Sequence, residues 1–151
     1  MAPKAKLAAY ADTSFLFSLY LRDANTAGVI RFLKANPTPL AFTGWQRIEL
    51  RNAVRLSVFR GNHDRQSANA ALQRIDVDAQ QGDLADAPLV WPMVLDEAEA
   101  LSASHAITLG IRALDLLHVA AARSVGAGRF LTCDGHQLVL EQAAGLRADK
   151  I

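Results

Sequence analysis

Two aspartates follow short apolar runs of the sequence, at positions where a charged side chain could carry chemistry. Asp12 comes directly after Leu7–Ala11, and Asp134 comes directly after Arg129–Cys133. If both runs are strands of one open parallel sheet, the two carboxylates lie at the edge where such sheets bind their ligands. Each Asp could also be only a helix N-cap or a turn residue. The occurrence of both favours a shared site.

Two further acids lie in predicted helices, on faces that are otherwise apolar. Glu49 shares its arc of the helix with Ala53 and lies away from the arginines of the other flank. Asp115 shares an arc with Val119 in a helix that is apolar almost all round, so we expect it to be buried. A buried carboxylate is usually paired, hydrogen-bonded, protonated or metal-bound. The alternatives are an exposed Glu49 beside an apolar stripe and a pair between Asp115 and His118.

Four acids that share one cleft repel one another and raise one another's pKa unless a cation neutralises them. Hard carboxylate oxygens, without Cys and with few His, select Mg²⁺ or Mn²⁺. Such a site keeps positions open for water and phosphate oxygens, and it can orient and deprotonate a water for attack on phosphorus. We therefore expect a divalent-metal site that hydrolyses phosphodiester bonds, formed by Asp12, Glu49, Asp115 and Asp134.

The elements that must position these acids are short apolar runs alternating with longer stretches of helical periodicity. Strands are predicted at Leu7–Ala11, Pro39–Thr43, Pro88–Trp91, Arg129–Cys133 and Leu146–Asp149. Helices are predicted at Ser14–Arg22, Asn25–Ala35, Trp45–Arg60, Asp64–Gln81, Leu95–Leu109, Ala113–Val125 and His136–Ala144, and surface loops at Asn36–Pro39 and Gly82–Pro88. The alternation predicts one α/β domain over residues 1–151, a three-layer α/β/α sandwich around a mostly parallel sheet.

The composition agrees with an ordinary folded protein and excludes several classes of function. The chain has 151 residues, 51% of them hydrophobic and 21% charged, and its net charge of +1 gives no strong field for nucleic acid. Its single cysteine, Cys133, forms no internal disulfide and no thiolate metal cage. The apolar stretch near the N-terminus is interrupted by Asp12, so we expect no membrane span and a cytoplasmic protein.

Four segments resemble, in order, the motifs of the PIN-domain family, and specifically the VapC-like toxins of bacterial type II toxin–antitoxin systems. They are Tyr10–Ser14, Ile48–Leu50, Arg112–Ala122 and Phe130–Asp134. Their spacing and the chain length fit a single-domain member over residues 7–151. The resemblance implies a five-stranded parallel sheet of order 3-2-1-4-5 and Mg²⁺- or Mn²⁺-dependent endoribonuclease activity on RNA. It also implies a homodimer and inhibition by a small antitoxin protein.

The resemblance also assigns roles to single residues. The metal-binding and catalytic acids of the family fall on Asp12, Glu49, Asp115 and Asp134, and its small polar residue after the first acid falls on Ser14. Many members carry one more acid two positions after the fourth, where this chain has His136. We therefore expect Ser14 and His136 to support the site, and a second metal ion to be held less tightly.

Two surfaces of the predicted helices could meet a partner. Arg47, Arg51 and Arg55 form a basic flank on the helix that carries Glu49, which could guide RNA or could be only a solvated face. The apolar segment Phe15 to Tyr20 could cover a partner or a dimer mate, although packing in the core is the commoner explanation of such a segment.

Two other functions remain open from the sequence. Haloacid-dehalogenase-like phosphatases also begin with an Asp at the end of the first strand, but they carry a second Asp two residues later, where this chain has Ser14. A PIN-like scaffold that only binds RNA or protein is the non-enzymatic alternative. The presence of all four acids favours the nuclease.

Overall fold

The computed structural model describes residues 9–151, so Leu7 and Ala8 of the first predicted strand lie outside the described residues. Five strands and seven helices alternate within this range. The strands are β1 (Ala9–Ala11), β2 (Leu40–Phe42), β3 (Leu84–Asp86), β4 (Phe130–Thr132) and β5 (Ala148–Lys150). The helices are α1 (Thr13–Tyr20), α2 (Thr26–Ala35), α3 (Gly44–Phe59), α4 (Arg65–Gln81), α5 (Trp91–Leu109), α6 (Ala113–Ser124) and α7 (Gly135–Ala143).

The strands form one sheet of order β3-β2-β1-β4-β5, and every neighbouring pair is parallel. The strand order implied by the family resemblance is confirmed. β1 lies at the centre, where Ala11 is in register with Leu131 of β4. Because parallel strands end at the same edge of a sheet, the residues that follow β1 and β4 are neighbours.

Helices cover both faces of the sheet, which confirms the three-layer architecture. One core contains Phe15 of α1, Leu50 of α3 and Ile75 of α4. The other core contains Val119 of α6 and Leu140 of α7, together with residues of α5. Successive side chains of β1 alternate between the two cores, as the period of a strand requires. No helix among residues 9–151 is both long and apolar enough to cross a membrane.

The prediction of the third strand was wrong. The strand is Leu84–Asp86, inside the segment Gly82–Pro88 that we expected to be a loop, whereas the predicted strand Pro88–Trp91 leads into α5. Leu84 is buried, whereas Trp91 is 41% exposed, so the more apolar segment, Pro88–Trp91, is not the one that packs in the core. Pro92 stands in the first turn of α5, where its missing N–H removes no helical hydrogen bond. The helix therefore begins before the predicted Leu95.

A capping box at the start of α3 connects this helix to the central strand. Thr43 accepts a hydrogen bond from the N–H of Gln46 (3.1 Å), and the Gln46 side chain accepts one from the N–H of Thr43 (2.8 Å). The amide nitrogen of Gln46 also donates to the carbonyl of Ala11, at 2.7 Å, and the side chain is fully buried. Gln46 therefore fixes α3, and with it Glu49, relative to the end of β1.

Helix α7 carries an unusual buried acid, Glu141. Its side chain is fully buried, and neither carboxylate oxygen has a hydrogen-bond partner within residues 9–151. Burial, and then the negative charge of Asp12, raises the pKa of Glu141 to about 9; the Gln137 side chain opposes this rise and Asp134 adds to it. Glu141 is therefore neutral at pH 7 in the folded protein.

We predict that Glu141→Gln stabilises the protein, and that the gain grows with pH. The folded pKa lies above that of the unfolded chain, so the native state must retain a proton that the unfolded state releases. Native stability therefore falls as pH rises between the unfolded and folded pKa values. Between pH 5 and pH 8 the advantage of the variant should increase by up to about 1.4 kcal/mol per pH unit. Urea unfolding of both proteins at each pH measures it.

Glu99→Gln is the matched control, because Glu99 is an exposed glutamate on α5. We expect this variant to change the free energy of unfolding by less than about 0.5 kcal/mol at either pH. An equal effect of Glu141→Gln at pH 5 and pH 8 would contradict the buried, protonated state.

Candidate acidic active site

Asp12 follows β1 and is the N-cap of α1, so the capping alternative is correct for its local geometry. Its Oδ1 accepts hydrogen bonds from the N–H of Phe15 (3.0 Å) and the hydroxyl of Ser14 (2.6 Å). Its Oδ2 accepts one from the hydroxyl of Thr132 (2.6 Å). The residue is buried, only 5% exposed. A simple cap needs neither the burial nor the two hydroxyl donors.

The pKa of Asp12 is raised above its usual value. Burial is the main cause, because it penalises the charged carboxylate. Hydrogen bonds from Ser14, Thr132 and the N–H of Phe15 oppose the rise, and so does the charge of His118. A cation near this carboxylate would favour its charged form.

Asp134 follows β4 and is the N-cap of α7. Its Oδ1 accepts the N–H of His136 at 2.9 Å, while its own N–H donates to the hydroxyl oxygen of Thr132 at 2.9 Å. Thr132 therefore bridges Asp12 and Asp134. The side chain of His136 is exposed, so its contribution here is made by its main chain.

Ser14 lies between the two strand ends that carry Asp12 and Asp134. Its hydroxyl donates to Asp12, accepts the N–H of Cys133 at 3.0 Å and lies 3.4 Å from the hydroxyl of Thr132. The supporting role that the family resemblance implied for Ser14 stays a prediction.

Glu49 reaches the same region from α3. Its Oε2 accepts hydrogen bonds from His118 Nε2, at 2.6 Å, and from the hydroxyl of Thr13, the residue next to Asp12. Burial alone would raise the pKa of Glu49, but the hydrogen bond and charge of His118 and the Thr13 hydroxyl outweigh it, so the pKa is lowered. Glu49 is therefore held as a carboxylate.

His118 is a site residue that the sequence analysis considered only as a partner of Asp115. Its ring lies between two polar groups: Nε2 faces Glu49, and Nδ1 lies 2.9 Å from the hydroxyl of the fully buried Tyr10. Trp45 packs against the imidazole, with ring centroids 5.9 Å apart. The motif Arg112–Ala122 contained His118, but its spacing gave no sign of a contact with α3.

Asp115 lies in the first turn of α6 and is half-buried rather than buried, because that end of the helix is exposed. Its carboxylate pairs with Arg112 at 3.2 Å, so the alternative of a pair with His118 is wrong. The positive end of the helix dipole also favours a carboxylate in this turn. The main-chain carbonyl of Asp115 accepts a hydrogen bond from the Gln137 side chain (3.1 Å), which places it beside α7.

The four acids are thus joined unequally. The Thr132 hydroxyl contacts both Asp12 and Asp134, and the hydroxyl of Thr13, which follows Asp12 in the sequence, contacts Glu49. Asp115, in contrast, is joined to α7 only through its main-chain carbonyl. Within residues 9–151, no three His, Cys, Asp or Glu side chains form a group that could hold a metal ion. Direct binding of one cation by all four acids requires side chains to move.

The donor chemistry nevertheless fits Mg²⁺ or Mn²⁺. Mg²⁺ is usually held by one or two carboxylates, with waters and substrate phosphates as its other ligands. One oxygen of each of Glu49, Asp115 and Asp134 accepts no hydrogen bond among the described residues and can serve as such a ligand. The arrangement suits binding through one or two carboxylates rather than a closed cage.

The predicted basic flank of α3 is partly engaged in helix packing. Arg51 forms an ion pair with Asp76 of α4 at 2.8 Å, and Arg47 lies 3.9 Å from the same carboxylate. The guanidinium of Arg47 also lies over the ring of Phe42, 5.6 Å from its centroid. Arg55 is exposed. Contact with RNA stays a prediction for all three.

No protein-family model matches the sequence, and no curated protein matches it. Several solved structures do match it. VapC20 of Mycobacterium tuberculosis, described as a sarcin–ricin loop cleaving toxin, matches with a TM-score of 0.67 at 16% identity, over 92% of this chain and 96% of that one. FitAcB of Neisseria gonorrhoeae matches with a TM-score of 0.64 at 18% identity, over 93% and 95%.

A third structure, PAE2754 of Pyrobaculum aerophilum, matches with a TM-score of 0.63 at 19% identity, over 98% of this chain and 88% of that one. At such low identity these matches establish the fold alone. Together with the sheet order and the two helical layers, they show that this chain has the fold of the VapC-like PIN domains.

Proposed function

We propose that this protein is an endoribonuclease that hydrolyses RNA phosphodiester bonds with the aid of Mg²⁺ or Mn²⁺. The observation that carries the proposal is the set of acids at the carboxyl edge of the sheet. There the Thr132 hydroxyl contacts both Asp12 and Asp134, and Thr13, the residue next to Asp12, donates to Glu49. The fold shared with VapC20, a toxin described as cleaving the sarcin–ricin loop, supports RNA as the substrate class.

Each acid contributes in a way that its surroundings define. Asp12 is fixed on both oxygens by Ser14 and Thr132, so it offers a rigid carboxylate at the end of the central strand. Glu49 and Asp134 each have an oxygen free of hydrogen bonds among the described residues. A bound Mg²⁺ or Mn²⁺ supplies charge neutralisation for these acids and a water of lowered pKa for attack on phosphorus.

Asp115 completes the set from the first turn of α6. Its ion pair with Arg112 is exposed enough to exchange for another cation. We propose that Asp115 leaves Arg112 when metal and RNA bind.

We predict that the purified protein cleaves structured RNA only in the presence of a divalent cation. A synthetic RNA that carries the sarcin–ricin loop is a suitable probe. Treatment with EDTA should abolish cleavage, and excess Mg²⁺ or Mn²⁺ should restore it, because the acids need a cation to hold the phosphate. The same ions should raise the thermal midpoint, since a ligand that binds only the native state stabilises it.

Full cleavage in EDTA would refute the metal dependence. Hydrolysis of phosphomonoesters without RNA cleavage would favour the haloacid-dehalogenase-like alternative, and RNA binding without any hydrolysis would favour a non-catalytic scaffold.

We predict that Asp12→Asn and Asp115→Asn each lower RNA cleavage more than about 100-fold while the protein stays folded. Asp12→Asn should also stabilise the metal-free protein, because it removes a buried charge whose pKa is raised by burial. Cleavage rates and thermal midpoints of the same samples measure both effects.

Asp86→Asn is the matched control, since Asp86 is an exposed aspartate at the end of the neighbouring strand β3. It should leave cleavage and stability unchanged. If Asp12→Asn and Asp115→Asn retain activity, or if both unfold, the acids have a structural role and the site assignment is wrong.

We further propose that the protein is a toxin that works as a homodimer and is inhibited by a small antitoxin. An Arg of the partner would suit the cleft, because a guanidinium pairs carboxylates bidentately and replaces the charge of the metal. The apolar anchor expected on α1 is smaller than the sequence indicated, since Phe15, Leu16 and Tyr20 are buried in the core. Phe17 and Leu19 remain partly accessible.

Expression together with the neighbouring gene of its own operon tests this regulation. We expect a small protein to co-purify and to suppress RNA cleavage by the complex, and the free protein to be active once the two are separated. If the neighbouring gene product neither binds nor inhibits, the toxin assignment fails and the nuclease assignment stands.

A further inference from the structure

We infer that His118, itself oriented by Tyr10, is a positioning residue that fixes the carboxylate of Glu49 for the reaction. The inference rests on the proposed nuclease function and adds to it two residues outside the four acids. It is carried by one continuous chain of hydrogen bonds, from the hydroxyl of Tyr10 through the imidazole of His118 to Glu49.

The imidazole is placed to hold another side chain rather than to meet a substrate. His118 is only 4% exposed, Tyr10 is fully buried, and the ring of Trp45 packs beside the imidazole. The two ring nitrogens are both engaged, at 2.9 Å from Tyr10 and 2.6 Å from Glu49. His118 therefore acts through Glu49.

The partner of Nε2 defines the role of that nitrogen. An ionised Glu49 can only accept hydrogen bonds, so Nε2 must donate to it. Nδ1 forms a hydrogen bond with the hydroxyl of Tyr10, which can act as donor or acceptor. Tyr10 belongs to the central strand β1 and packs against Phe130 of β4, with ring centroids 5.3 Å apart. The orientation of the imidazole is thus anchored in the middle of the sheet.

Glu49 needs such support because its flexible side chain projects from α3 and remains 24% exposed. Both hydrogen bonds that it accepts, from His118 and Thr13, fall on Oε2. Oε1 accepts none among the described residues, so one oxygen is held and the other is available to a ligand. Hydrogen bonds that orient a ligating carboxylate commonly change metal affinity or activity about 10–100-fold.

Two amide substitutions separate the contacts on either side of the ring. In His118→Gln the amide nitrogen can occupy the position of Nε2 and donate to Glu49. In His118→Asn the shorter side chain reaches only toward Tyr10. We expect His118→Asn to lower kcat/KM for RNA and the affinity for Mn²⁺, measured by calorimetry, about 10–100-fold, and His118→Gln to recover most of both. Tyr10→Phe should give an intermediate loss.

A double-mutant cycle with Glu49→Gln tests whether His118 acts through Glu49. If it does, His118→Asn causes little further loss of Mn²⁺ affinity or cleavage once Glu49 is replaced. His105→Asn, on α5, is the matched control and should change neither quantity. Thermal midpoints of all variants distinguish loss of positioning from loss of the fold.

The inference is overturned if His118→Asn and His118→Gln lose equal activity and the loss follows their loss of thermal stability. It is likewise overturned if the effects of His118→Asn and Glu49→Gln are additive. It is also overturned, without harm to the proposed function, if folded His118→Asn binds Mn²⁺ and cleaves RNA like the wild type. A wild-type protein that neither binds Mn²⁺ nor cleaves RNA would overturn both proposals.

Discussion

The parallel pairing of β1 with β4 is the constraint on which the site depends. The pairing continues one residue beyond β1, because the N–H of Asp12 donates to the carbonyl of Leu131 at 3.1 Å. Two strands that end together bring Asp12 and Asp134 to one edge, where their charges would repel each other. The Thr132 hydroxyl stabilises the carboxylate of Asp12 by donating to it, and it fixes the backbone of Asp134 by accepting its main-chain N–H. The capped starts of α1 and α7 provide further N–H donors.

Periodicity and apolar runs predicted four of the five strands, because β1, β2, β4 and β5 lie within or overlap the predicted segments. The third strand failed for a physical reason. Leu84–Asp86 borders a solvent-exposed loop and has only one buried side chain, so its apolar pattern is weak. The stronger run around Trp91 is apolar but exposed, and hydropathy alone does not distinguish an exposed apolar surface from a buried strand.

The acids of the site could be chosen from the sequence, but their partners could not. Hydrogen bonds join Thr132 to Asp12 and His118 to Glu49 across 120 and 69 positions of the sequence, and no local spacing encodes such contacts. Asp115 shows the complementary difficulty. Helical periodicity gave the face on which it lies but not its place at an exposed helix end, where Arg112 is a nearer partner than His118. The buried Glu141 left no signal at all in the pattern of α7.

The side chain of Gln46 makes contacts with two elements: it completes the capping box of α3, and it donates to the carbonyl of Ala11 at the end of β1. The first turn of α3 and the central strand are therefore coupled mechanically. A shift of α3 along the sheet would break the capping box and leave the buried amide of Gln46 without a hydrogen-bond partner, which is unfavourable. Glu49, one turn beyond, can consequently adjust to a ligand only by rotating its own side-chain bonds, so the site is stiff in its backbone and adaptable in its carboxylates.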